Sequence, residues 1–269
     1  MAFIIPALAL LIGAFLLPLA YVLYLSFGGD APTFANYTAL LSRPLYVRVL
    51  WNTLEISVLS TAFTLLLGYP IAYHLAAQPP RRRAMLTILV LLPFWTSILV
   101  KSFAFTILLG ESGLVNQIIR LVLGAQAGLP LLFNRAGVVI GMTHFLLPFM
   151  VFTLLASLVT QNAEYRRAAE IMGASRLRIF WSIVFPLSLP GVMAGTLLCM
   201  ILSMGMFITP ALLGGRGDLM ISNLVEFHVR ETLNWPAASA IAVCLLVVTA
   251  IFTLLLARVR GGQLFGETA

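Results

Sequence analysis

Charge is what this sequence has least of. Asp, Glu, Lys and Arg make up 9% of its 269 residues, while 61% are hydrophobic. A soluble domain of average composition carries roughly 25% charged residues. So few charges do not build a water-exposed surface, and lipid must cover much of the molecule. Cysteine is nearly absent. Cys199 and Cys244 each sit inside an apolar run, which suggests neither a disulfide framework nor a metal site. The three histidines, His74, His144 and His228, are scattered over different segments without paired ligands nearby, so no metal is expected. Lysine occurs once, as Lys101. A phosphate-cradling loop needs Gly-x-x-x-x-Gly-Lys-Ser/Thr. Ser102 follows Lys101, but Val100 precedes it, so that loop cannot form. No hydrolase constellation appears, the expected catalytic set is empty, and no cofactor is expected. If ATP drives this protein, another chain must bind it.

What is present is long apolar runs. A spanning helix needs about 20 mostly apolar residues. Six stretches qualify: about 3–27, 53–77, 84–109, 137–158, 187–212 and 237–257. The first lacks a basic leader, and its run of about 25 residues exceeds a secretory h-region of roughly 7–15, so it reads as a retained anchor. The connections are too short for a soluble domain, and no fixed-period repeat or low-complexity tract is visible. The expected fold is all-α and polytopic, one membrane domain over 1–269 with six transmembrane helices.

The net charge of +7 sits in short loops beside these runs. There, positive charge sets orientation more often than it binds a partner such as nucleic acid. One set of connections carries nine arginines: Arg81, Arg82, Arg83, Arg166, Arg167, Arg176, Arg178, Arg258 and Arg260. The other carries six: Arg43, Arg48, Arg120, Arg135, Arg216 and Arg230. Glu164, Glu170 and Glu267 leave the first set at +6, and Asp30, Glu111, Asp218, Glu226 and Glu231 leave the second at +1. The richer side is expected to be cytoplasmic, with both termini.

The cytoplasmic segment 159–186 is too polar to span and too regular for a plain loop. Glu164 to Met172 are mostly good helix formers. Gly173 suits a left-handed helix end. Ser175 suits the cap of a second helix over about 176–184, which Pro186 is expected to close. Small Ala168 and Ala169 would let a partner surface approach closely, although alanine is also simply the best helix former.

Ala168, Ala169, Gly173, Ile183 and Pro186 stand at the spacing of a known signature. It reads Glu-Ala-Ala, three residues, Gly, nine residues, Ile-x-Leu-Pro. The chain thus resembles the permeases of binding-protein-dependent ABC importers. Arg167 replaces the usual Glu, and Phe185 the usual Leu. The pieces NYTALL (36–41), PLYVRVLWNTL (44–54), LGYPIAYHLA (67–76), LLPFWTSILVK (91–101), LLPFMV (146–151) and NWPAASA (234–240) look like the spermidine/putrescine branch. The resemblance implies a type I importer permease in a bacterial inner membrane. It implies three kinds of partner: a second permease, two copies of an ABC ATPase, and a periplasmic substrate-binding protein. Arg167, Ala168, Ala169, Glu170 and Gly173 would form the coupling helix that docks on the ATPase. A polyamine or related cation is the implied cargo; other branches carry ferric iron, sulfate, molybdate or small organic acids. The rival class is an ion-gradient-driven secondary transporter. It would more often show ionisable residues at mid-membrane and paired internal repeats, and neither stands out.

Within the spans, ionisable and aromatic groups are the pathway candidates. They are Glu55, Trp95, Lys101 and His144. Glu55 would attract a cation or pair with Arg48 or Lys101. Lys101 would snorkel to the outer surface or face the pathway. Trp95 and His144 would stack or bond within the bundle. Pro70, Pro93 and Pro148 free backbone groups and would kink their helices. Leu114 to Leu123 would form a short helix lying at the outer surface, which with loop 213–236 would offer a platform for a binding protein.

Overall fold

A computed structural model describes residues 4–29, 32–124 and 128–264. Phe3, Asp30 and Glu267 lie outside the described residues, as do the side chains of Arg258 and Arg260. Among the described residues every regular element is helical. Five stretches are long and apolar enough to cross a membrane: Pro44–Ala76, Ile98–Leu123, Arg135–Val159, Arg176–Met204 and Trp235–Leu254. Ile12–Ser26 adds a shorter apolar helix.

The helices are α1 (Ile4–Ser26), α2 (Ala35–Ser42), α3 (Pro44–Ala76), α4 (Pro80–Leu91), α5 (Ile98–Leu109), α6 (Leu114–Leu123) and α7 (Arg135–Val159). Then come α8 (Ala163–Ile171), α9 (Arg176–Ile179), α10 (Phe185–Met204), α11 (Ile208–Leu213), α12 (Ile221–Arg230) and α13 (Trp235–Leu264).

Three helices form the centre. α3 and α7 run parallel and α10 runs antiparallel between the same ends, which hydrogen bonds from Thr143 to the Ser60 carbonyl and from Thr61 to Met200 Sδ mark. Leu146, Met150 and Leu154 of α7 are fully buried, packed with Ala72 and Leu75 of α3 and Cys199 of α10. Close approach depends on small residues. A Cβ at Gly68 would touch Met150, and one at Gly191 would overlap Ser157. Without a hydrophobic drive in lipid, such close backbone contact is a main source of helix association. On the flank, α1 packs along α13.

Three spans differ from expectation. The fifth, expected over about 187–212, ends at Met204; Gly205, Met206 and Phe207 leave the helix, and α11 restarts at Ile208. The second helix begins at Pro44, not near Thr53, because the proline supplies a helix start with preset φ. The third is not continuous. α4 ends in a 3-10 turn over Leu92–Trp95, Thr96 and Ser97 are extended, and α5 restarts at Ile98. Pro93, inside that turn, cannot donate a helical hydrogen bond, and its ring crowds the preceding turn. Pro70 and Pro148, by contrast, sit inside unbroken helices.

Candidate functional site

The segment after α7 is built from local signals. Asn162 caps α8, accepting from Glu164 N at 2.9 Å. α8 ends at a left-handed glycine, Gly173, with φ of 79°. Ser175 Oγ then accepts from Arg178 N at 3.4 Å and opens α9. The second helix does not stop at Pro186. A wide turn over Phe180–Val184, in which Phe185 N donates to Phe180 O, carries the chain into α10 without a break. The extra residue in that turn makes room for the proline ring in the first turn of α10.

This segment lies at one end of the bundle. Arg166 stands over the Tyr73 ring at 5.8 Å and donates to Gln161 Oε1 at 3.1 Å. Gln161 in turn donates to the Val184 carbonyl. Ala169 packs on the central core, while Arg167, Ala168, Glu170 and Gly173 are exposed. Ile171 and Met172 are 88% and 86% exposed, which is unusual for such side chains at a polar helix end. A hollow of about 320 Å³ opens between α8 and α9, lined by Ala169, Met172, Gly173, Arg178, Ile179 and Ile183. At the same end Arg83 donates to the carbonyls of Leu75, Ala76 and Gln78, closing the C-terminus of α3.

The opposite end holds an ionic cluster. Arg135, the first residue of α7, meets Glu55 of α3 at 2.5 Å and Asp218 of the α11–α12 loop at 3.2 Å. Its Nη2 also donates to Asn52 Oδ1 at 3.0 Å, and Asn52 donates to the Gly217 carbonyl at 2.6 Å. Glu55 therefore pairs with Arg135, not with Arg48 or Lys101. Its position one turn after Asn52 puts both on the face of α3 that meets α7. Beside this cluster a cleft of about 550 Å³ runs between α3, α5 and α7. Arg135 stands at its polar end, and His144, Phe63 and Phe105 line it. His144 meets the Phe105 ring edge-on at 5.1 Å.

Lys101 does not snorkel to the surface. Its Nζ folds back to the Pro93 carbonyl at 2.9 Å and stands 5.4 Å from the centre of the Phe145 ring. The same carbonyl accepts from Thr96 Oγ1 at 2.8 Å. The cation thus satisfies the C-terminal end of a broken helix, where the dipole is negative. Trp95, at the break, is 71% exposed and lines none of these features. Lys101→Met is expected to lower Tm by only roughly 2–4 °C, because Thr96 still serves the carbonyl and one such bond is worth about 1 kcal/mol. Thermal unfolding in detergent checks this.

Sequence reasoning missed α2 and α12, which are too short to separate from loops by apolar periodicity, and it read α11 as the end of the fifth span. It also missed Arg135 and Asp218. The loop helix α6, expected over 114–123, is present, and Asn116 pins it by binding the Gly110 and Leu129 carbonyls and Leu129 N.

A family model described as binding-protein-dependent transport system inner membrane component matches residues 64–261. The chain belongs to that family. This permease is 35% identical over 222 residues to the spermidine/putrescine transport system permease protein PotB of Escherichia coli, covering 82% of this chain and 80% of that one. PotB of Haemophilus influenzae is also 35% identical, over 81% of the permease and 76% of the relative. The molybdenum transport system permease protein ModB of Mycobacterium bovis is 30% identical over 81% of each. In fold, the permease matches a chain of a bacterial alginate ABC transporter solved with its alginate-bound periplasmic protein. The TM-score is 0.80 at 18% identity, covering 95% of the permease and 91% of that chain. A chain of the MetNI methionine ABC transporter matches at a TM-score of 0.58 over 85% of the permease and 100% of its own length. The molecule is a multi-pass inner-membrane transport subunit with the fold of type I ABC importer permeases.

Proposed function

We propose that this permease carries a polyamine or related small cation into the cell, paired with a second permease and driven by two copies of an ATPase bound to the α8–α9 end. The cargo follows from the 35% identity to spermidine/putrescine permeases. The site of coupling follows from one observation above all, the exposed glycine-broken helix pair at 163–179, with apolar Ile171 and Met172 beside a hollow. Arg167, Ala168, Ala169, Glu170 and Gly173 form the docking face. Arg167 sits where the family signature has an acid, so the matching groove position on the ATPase should be acidic or neutral. The ATP-binding loop belongs to the partner, since this chain has no Walker A sequence. The arginine-rich elements share the α8–α9 end, which supports a cytoplasmic placement of that end and of both termini. The whole of 1–269 then works as one membrane domain. Closure of the ATPase dimer would move this pair and rock the bundle between inward and outward states. The cleft lined by His144 and Arg135, whose guanidinium pairs with Glu55, would face the pathway. Lys101 sets the α4–α5 joint, and Trp95 marks its exposed edge.

The test is affinity purification of the tagged chain from gently solubilised native membranes, followed by ATP-dependent spermidine uptake in vesicles supplied with the binding protein. An ATPase and a second permease are expected to co-purify. Gly173→Ala meets open space but a left-handed φ, so only strain of about 1–2 kcal/mol acts on the turn. It should leave folded yield intact and lower ATPase recovery. Ala169→Trp should abolish that recovery. A chain that purifies alone and transports without ATP would make the protein an ion-gradient transporter instead.

A further inference from the structure

The end of the bundle opposite α8 carries a second polar site, separate from the Arg135 cluster. Tyr46, near the start of α3, is about 40 Å along the helix from Tyr73, which meets Arg166. Around Tyr46, α2, α12 and the start of α13 enclose a cavity of about 320 Å³. Asn36, Arg43, Tyr46, His228 and Asn234 supply its polar lining, and among the described residues no carboxylate lines it.

The floor is already satisfied. Thr232 Oγ1 donates to the His228 carbonyl and therefore accepts from His228 Nδ1, at 3.1 Å. His228 Nε2 is then the acceptor for the Tyr46 hydroxyl at 3.0 Å. Burial, and then the Arg43 cation, hold this imidazole below its ordinary pKa, so it is neutral at pH 7. The walls are open, with Arg43 and Asn234 both exposed at the rim. Arg43 forms no ion pair with any described residue. Asn234 spends its Oδ1 on Ala237 N, capping α13, and its amide NH2 has no partner among the described residues. A guanidinium and a neutral amide, both donors free of protein partners among the described residues, thus line a cavity with no carboxylate in its described lining. That is the donor set of a phosphate oxygen site.

The surroundings distinguish a membrane phosphate from a dissolved one. Leu41 and Leu45 flank Arg43 and are 72% and 54% exposed, and Trp235, next to Asn234, is 52% exposed. Three apolar helices have their ends here: α1 finishes at Ser26, whose hydroxyl accepts from Tyr37 of α2, and α3 and α13 begin. Exposed Trp and Leu around a cation at such a level match the boundary of headgroup and acyl chain. We propose that this cavity holds the phosphate of a phospholipid headgroup, with Arg43 and Asn234 as its ligands and the acyl chains lying over Leu41 and Leu45. The site needs only that the chain spans a bilayer, whatever its cargo.

Native mass spectrometry of the purified assembly, titrated with phosphatidylglycerol, tests this. Arg43→Gln is expected to weaken the tightest lipid adduct about tenfold or more, as loss of a charge-assisted hydrogen bond does. Asn234→Asp keeps the α13 cap acceptor but replaces the donor with a negative charge, and should weaken it similarly. Arg120→Gln, an exposed cation elsewhere, should not. Unchanged adducts in both site variants would overturn the proposal. So would displacement of the lipid by inorganic phosphate alone, which would make this a soluble-anion site. Intact lipid binding with lost docking of the periplasmic protein would give the cavity to that protein.

Discussion

Arg135→Gln is expected to unfold the permease at a Tm lower by roughly 4–8 °C and to cut its transport. The guanidinium lies between Glu55 and Asp218 and also serves Asn52. Removing it leaves two carboxylates facing each other with no cation between them. Breaking a fully buried pair costs about 3–5 kcal/mol. Here the Arg135 and Glu55 side chains are 34% and 39% exposed while Asp218 is 13% exposed. Water screens part of the repulsion, so about 2 kcal/mol is the expected loss. On the scale for domains of 150–250 residues, that is the stated shift. The cluster joins α3, α7 and the α11–α12 loop, so its loss also frees one end of the bundle. Adding Glu55→Gln to Arg135→Gln should recover part of the Tm, because it removes one of the two uncompensated charges. An unchanged Tm in the single variant would show that the cluster does not hold the bundle.

Gly191→Leu should yield no folded protein. A Cβ at Gly191 would overlap the Ser157 side chain and stand 3.2 Å from the Thr153 carbonyl oxygen of α7. The backbone cannot give way there as a flexible side-chain end can. Overpacking of this kind costs about 1–3 kcal/mol for small additions. Gly191→Ala should therefore survive with a reduced Tm, and leucine, with three more carbons, should force α10 off α7. Gly13→Leu is the control, since a Cβ there meets nothing within 4 Å. Size-exclusion profiles in detergent read the result: a monodisperse peak for Gly13→Leu and Gly191→Ala, and aggregate for Gly191→Leu. A monodisperse Gly191→Leu peak would mean that α7 and α10 are not held this close.

The all-helical, membrane-spanning architecture was legible in composition alone, because length and apolarity are local properties that burial in lipid demands. The turn at Gly173 and the caps at Asn162 and Ser175 are also local, since a cap is decided within four residues. What was not legible was pairing over distance. Arg48 and Lys101 were the partners within reach of Glu55 in the sequence, but Arg135 is 80 positions away and joins it only because α3 and α7 run side by side. The partner of Lys101 was hidden for a related reason. Its reach to the Pro93 carbonyl exists only because the helix breaks at Thr96, and a break cannot be told from a kink by the presence of proline, as Pro70 and Pro148 show. Pro186 was read as a stop because a proline inside a helix removes a hydrogen bond. The wide turn before it absorbs that loss without ending the helix.

That wide turn has a mechanical meaning. From Arg176 to Met204 the chain is one helical rod of 29 residues, about 44 Å long. The backbone stays helical through the turn, so a push or twist delivered to α9 passes directly into α10. Had Pro186 cut the chain into a free foot and a separate span, the stroke would be spent bending the ankle. By fusing the two, one inserted residue makes α9 and the span that follows a single lever.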